Sequence, residues 1–174
     1  EVDHGAGLFY IRTNAGGRRN FRLVRTPTAD PRPECWEELI AHREDVMLEE
    51  VDVFAGHYVV LERAGGLNRL RVVRFDDGIA RYVEFPEPAY DVEAEANPEF
   101  DTPAYRFHYQ SFITPPTVYD YEVAGGTLRV LKRQEVLGDY DPALYRVERL
   151  HAEAGDGTRV PISFVSRKDS PRDG

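Results

Sequence analysis

A chain of 174 residues with 41% hydrophobic and 11% aromatic content is long and apolar enough to bury the core of one ordinary domain. Its 22 basic and 31 acidic residues give a formal charge of −9, which repels a phosphate backbone and argues against nucleic-acid partners. No apolar run reaches the roughly 18 to 20 residues that cross a bilayer, the first residues lack the zones of a signal peptide, and the single Cys35 can form no internal disulfide, so a soluble, cytoplasmic chain without membrane partners is expected.

Taken in chain order, the pattern has a period of two. A strand begins at Leu8–Ile11, close behind a first residue that is not methionine, so the chain is expected to enter a repeat partway, as a piece of a longer protein. Gly16-Gly17 supplies a turn. Over Pro33–His42, Trp36, Leu39 and Ile40 stand at helical spacing behind acids, which predicts a short turn of helix or 3₁₀. Tyr58–Leu61 and Leu70–Val73, parted by Gly65-Gly66, are apolar on nearly every position, as in strands covered on both faces. Asp77-Gly78 marks another turn, and Asn97–Glu99 reads as a turn or single helical turn.

From Tyr105 the alternation sharpens: Tyr105, Phe107 and Tyr109 interleave with Arg106, His108 and Gln110. Thr114-Pro115-Pro116 connects this run to a second one through Tyr121, and Gly125-Gly126 follows as a turn. Asp141–Ala143 reads as a turn or single helical turn. Tyr145–Ala152 and Arg159–Arg167, joined by Asp156-Gly157, predict a hairpin in which Val160, Ile162 and Phe164 share one face; the tail 168–174 is polar and turn-rich.

A repeat connects these pieces. Laid under Tyr58–Arg74, the segment Phe9–Arg25 matches Ala-Gly-Gly and the final Val-Arg without a gap at an offset of about 49 residues. A third copy starts near Tyr105, about 47 residues on. That period suits one four-stranded antiparallel blade per repeat, and therefore about three blades of a β-propeller; Gly-Gly hairpins in a sandwich are the other all-β reading.

No residue is expected to be catalytic, cofactor-binding or metal-binding. No Gly-x-Ser-x-Gly turn exists to expose a nucleophile, and Ser111, Ser163, Ser166 and Ser170 sit in strand-like runs or the tail. His4, His42, His57, His108 and His151 show no metal-ligand spacing, and a meeting of His108, His151 and Asp120 is weighed against plain solvent exposure. Glu49, Glu50, Asp52 and Glu62 fit solvated strand edges better than a paired-carboxylate hydrolase. Tyr105, Tyr109, Tyr119 and Tyr121 fit packing between blades better than an aromatic ligand platform. The negative charge is either ordinary solubility or a means of steering cationic peptides.

The stretches Arg106–Tyr121, Leu131–Gly138, Trp36–Glu44, Leu61–Leu67 and Asp156–Ser163 resemble the prolyl oligopeptidase family of serine peptidases, closest to oligopeptidase B. The resemblance implies a partial seven-bladed propeller over residues 1–144 and, over 145–174, the first hairpin and linker of an α/β-hydrolase domain. It also implies a parent that cleaves short peptides after basic residues, with its serine, aspartate and histidine beyond position 174. The partners so implied are a peptide substrate, the absent hydrolase domain and further copies of the chain through exposed blade edges. The chain alone would then be a non-catalytic gate. A stand-alone β-rich module that binds a peptide or protein is the alternative.

Overall fold

The computed structural model describes residues 1–171; of the polar tail, Arg172, Asp173 and Gly174 lie outside the described residues. Fourteen strands form three four-stranded sheets and one hairpin. The first blade contains β1 (Val2–Gly5), β2 (Leu8–Thr13), β3 (Arg22–Pro27) and β4 (Glu37–Ile40). The second contains β5 (Val46–Val53), β6 (His57–Ala64), β7 (Leu67–Arg74) and β8 (Ala80–Tyr82). The third contains β9 (Tyr90–Ala94), β10 (Ala104–Ser111), β11 (Thr117–Glu122) and β12 (Thr127–Arg133). Within each blade the four strands pair antiparallel in chain order, and β13 (Tyr145–Glu153) and β14 (Arg159–Arg167) pair only with each other.

The repeat maps onto the second and third strands of each blade: β2–β3, β6–β7 and β10–β11. Its turns differ. Gly65-Gly66, both at positive φ, close a two-residue loop between the paired Ala64 and Leu67, the conformation glycine adopts without steric cost. Gly16-Gly17 lie instead inside a longer loop between the paired Thr13 and Arg22. Gly125 is not among the glycines at positive φ; in that pair only Gly126 supplies it.

The middle blade explains the doubly apolar strands. On β6, Tyr58 and Val60 point into the cluster shared with Tyr10, Leu23 and Ile40 of the first blade. Val59 and Leu61, on the opposite face, join Val92, Tyr105, Phe107 and Tyr109 of the third. A strand with period-two geometry buries both faces only when a sheet lies on each side. The alternation on β10 is equally plain: Tyr105, Phe107 and Tyr109 are buried, whereas Arg106 is exposed.

Two expectations are corrected. The first sheet is not entered partway: Val2–Gly5 pairs antiparallel with Leu8–Ile11 as an edge strand, so this sheet has four strands like the others. The predicted helical turn over Pro33–His42 is 3₁₀ only at Pro33–Cys35, after which Glu37–Ile40 is the edge strand β4. The acids taken for a helix start are cross-strand partners: Glu37 pairs with Arg25 at 2.8 Å and Glu38 with Arg22 at 3.1 Å. A second 3₁₀ turn, Pro142–Leu144, lies at the expected turn and leads into the hairpin.

Candidate functional site

The hairpin β13–β14 is the candidate site, because it touches the blades through Arg149 and none of its residues is fully buried. Leu150 stands opposite Ile162, Ala152 opposite Val160 and Glu148 opposite Phe164. Leu150, Val160, Ile162 and Phe164 are 40–46% exposed, far more than core strands of this composition allow. The predicted alternation is present, but no layer of the described residues covers its apolar face.

The other face of the hairpin meets the blades. Arg149 donates through Nη2 to the carbonyl oxygen of Gly65 in the β6–β7 turn, and through Nη1 to Ser163 Oγ at 2.8 Å. A cleft of about 310 Å³ opens beside this contact, lined by Ala89, Tyr90, Asp91, Gln110, Phe112 and Ser163, with Ser111. Phe112, 55% exposed, is at the tip of the Ser111–Pro116 connection. That connection is braced by its own first residue: Ser111 Oγ accepts from the backbone N–H groups of Ile113 and Thr114 at 3.1 and 2.8 Å. Thr114 Oγ1 donates to Glu87 at 2.5 Å, and Glu87 also accepts from the Tyr109 hydroxyl. Burial and this carboxylate push the Tyr109 phenol well above its ordinary range, so it stays protonated and donates to Glu87.

Three of the serines are engaged in hydrogen bonds. Ser111 caps its own turn, Ser163 accepts from Arg149, and Ser166 accepts from Arg146 Nε at 2.8 Å. His108, His151 and Asp120 are not assembled: Asp120 lies between Arg106 and Arg129, each at 2.8 Å, and these guanidiniums hold its carboxyl below the usual range. His151 stands opposite Pro161 on the hairpin. Among the described residues, no three His, Cys, Asp or Glu side chains are grouped to hold a metal. The tyrosines pack as expected, with Tyr105, Tyr109 and Tyr121 buried in the cluster between the second and third blades and Tyr119 against it.

The acids are less solvated than the alternation implies. Glu62 is fully buried and takes Arg43 at 2.6 Å, Arg71 at 3.5 Å and the Tyr82 hydroxyl at 2.8 Å. Asp52 accepts from the Tyr105 hydroxyl, while Glu49 pairs with Arg63 at 2.8 Å. Of the histidines, His57 is buried at 2% exposure, stacked on Phe54 with its Nε2 unpaired, and burial lowers its pKa to about 4. Neither burial is visible from the sequence, because Glu62 and His57 flank an apolar run and their partners, Arg43, Arg71 and Tyr82 for the acid and Phe54 for the histidine, follow no strand period. Arg149 stands in no motif, and Phe112 belongs to the Arg106–Tyr121 stretch, where nothing marks its exposure; Gly65-Gly66 reads as a turn, not as a carbonyl awaiting a guanidinium.

Comparison with known proteins agrees with this architecture. The model of the prolyl oligopeptidase N-terminal β-propeller domain matches residues 1–134. The chain is 43% identical over its whole length to dipeptidyl aminopeptidase BI of Pseudoxanthomonas mexicana, covering 24% of that protein. It is 29% identical to protease 2 of Moraxella lacunata over 95% of the chain, covering 23% of that protein. Among solved structures, oligopeptidase B from Leishmania major superposes with a TM-score of 0.81 at 33% identity, over 97% of this chain and 25% of that one. Oligopeptidase B from Trypanosoma brucei, with covalently bound antipain, gives 0.86 at 30% identity, over 99% of this chain and 25% of that one. The chain thus spans about a quarter of the length of these relatives.

Proposed function

The chain belongs to the prolyl oligopeptidase family, through its N-terminal β-propeller domain, and on that premise we propose that it is the substrate-gating, non-catalytic part of an oligopeptidase B-like serine peptidase that cuts short peptides after basic residues. We place the boundary between blades and hydrolase domain at residues 144 and 145. The family match ends at 134, and the sheet pairing changes at β13.

One observation carries the reading: a hairpin anchored to the blades on its polar side, with Leu150, Val160, Ile162 and Phe164 uncovered on the other. An apolar face of this kind is stable in water only when something packs on it, and the hydrolase domain of the parent is the partner that fits. In the isolated chain the same face favours self-association. Preference for cationic peptides is supported by the charge of −9 and by a groove in which Glu49, Glu50 and Glu93 outnumber the one cation, Arg63. A cytoplasmic location belongs to the same reading and rests on the lone Cys35.

The test compares the 174-residue chain with the protein encoded by its whole reading frame, using amide substrates that carry arginine, lysine or proline before the scissile bond. The longer protein is expected to cleave the arginine and lysine amides and to lose that activity to a serine-directed inhibitor, while the chain alone turns over none. A reading frame that stops at Gly174 without any hydrolase element would favour the stand-alone binding module instead.

A further inference from the structure

The Arg149 guanidinium is the contact by which the outer half of the hairpin meets the middle blade. Its Nη1 is held by Ser163 on the partner strand, which aims Nη2 at the Gly65 carbonyl 84 residues away in sequence. The turn is shaped to receive it. A Cβ at Gly66 would stand 3.3 Å from Arg149 Nη2 and 3.5 Å from Pro161 Cγ, at a φ of +75° that side chains rarely adopt. The base of the hairpin is tied separately, by the Tyr140–Tyr145 ring pair, by Tyr140 donating to the Ile113 carbonyl at 2.7 Å, and by the Lys168 N–H donating to Leu144 at 2.8 Å.

A charged donor on a backbone carbonyl is stronger than a neutral hydrogen bond and, lacking a carboxylate partner, responds little to pH. We propose that Arg149 is a positioning residue, a strap that locks the outer half of β13–β14 onto blade two and so fixes the direction in which the hairpin presents its apolar face. Tilting the hairpin about its base would otherwise redirect Leu150, Ile162 and Phe164, because those side chains share one face of a two-stranded ribbon. The consequence for a hydrolase domain seated on that face rests on the function proposed above; the strap itself does not.

Hydrogen exchange measured peptide by peptide on the 174-residue chain separates the two. Arg149→Ala is expected to speed exchange across residues 150–162 by about tenfold, with the amides of β6 and β7 unchanged. Arg149→Lys, which keeps one charged donor, is expected to bring that exchange back to within about threefold of the parent chain. Exchange in the alanine variant within about twofold of the parent would overturn the strap. So would equal acceleration in the hairpin and in β6 and β7, since that is general loosening of the fold. No peptidase activity enters this readout, so its failure and failure of the proposed function are distinguishable.

Discussion

The Tyr105 hydroxyl donates to Asp52 Oδ2 at 2.7 Å, joining β10 of the third blade to β5 of the second. Burial raises the Asp52 carboxyl above its ordinary range, and the tyrosine bond opposes that shift by favouring the charged form. The blades share no strand ladder, so a side-chain bond across the seam supplements apolar packing and isolated backbone bonds such as Ala55 N–H to the Phe100 carbonyl. Tyr105→Phe is expected to cost about 1–2 kcal/mol in urea unfolding. In a double-mutant cycle with Asp52→Asn, most of that loss should be shared; additive losses would show that the bond contributes little.

Glu62 is the second seam-binding acid. It draws Arg43, from the connection between the first two blades, onto Arg71 and Tyr82 of the second. Removing a buried charge strands its partners, but Arg43 and Arg71 remain 32% and 24% exposed, which softens the loss. Glu62→Leu is expected to lower stability by about 2–3 kcal/mol. An unchanged denaturation midpoint would mean that the apolar replacement compensates fully for the ionic cluster.

His57 sets a pH dependence whose sign follows from its burial. Its folded pKa lies at about 4, below the ordinary 6.5. Between those values the unfolded chain binds a proton that the folded chain refuses, so stability falls as pH drops from 6.5 toward 4, by up to about 3 kcal/mol. Above 6.5 this contribution is complete. His57→Gln should flatten the difference in stability between pH 7 and pH 4.5; an identical difference in both proteins would show that His57 protonates freely in the folded state.

The uncovered hairpin face yields a prediction about assembly. Leu150, Ile162 and Phe164 are adjacent and each at least 40% exposed, so the isolated chain should associate with rising concentration. Ile162→Arg is expected to shift sedimentation toward monomer without altering the far-ultraviolet spectrum. A parent chain that sediments as a monomer at all concentrations would remove the basis for this expectation.

Much of the fold was legible because period-two alternation depends on local geometry. Tyr105, Phe107 and Tyr109 announce β10, and the unbroken apolar run Tyr58–Leu61 announces a strand with sheets on both sides. The failures share one cause. β1, with Asp3, His4 and Gly5, and β4, with Glu37 and Glu38, are edge strands whose polar residues answer to arginines or backbone groups elsewhere, so neither shows a strand period. Glu62 and His57 look like solvated polar positions until Arg43, Tyr82 and Phe54 are placed around them. Arg149 reads as one more charge on an alternating hairpin, because the carbonyl it grips belongs to a turn 84 residues earlier. Pattern reports which face is covered; it does not report what covers it.

The central claim, that these blades serve a peptidase whose reactive groups are not among them, is tested most directly by treating the folded 174-residue chain with a fluorophosphonate probe and weighing it intact. The account predicts an unmodified mass, since Ser111, Ser163 and Ser166 are engaged with Ile113, Thr114, Arg149 and Arg146, and neither they nor Ser170 stands on a Gly-x-Ser-x-Gly turn. A stoichiometric adduct on one serine, lost when the chain is unfolded beforehand, would contradict it.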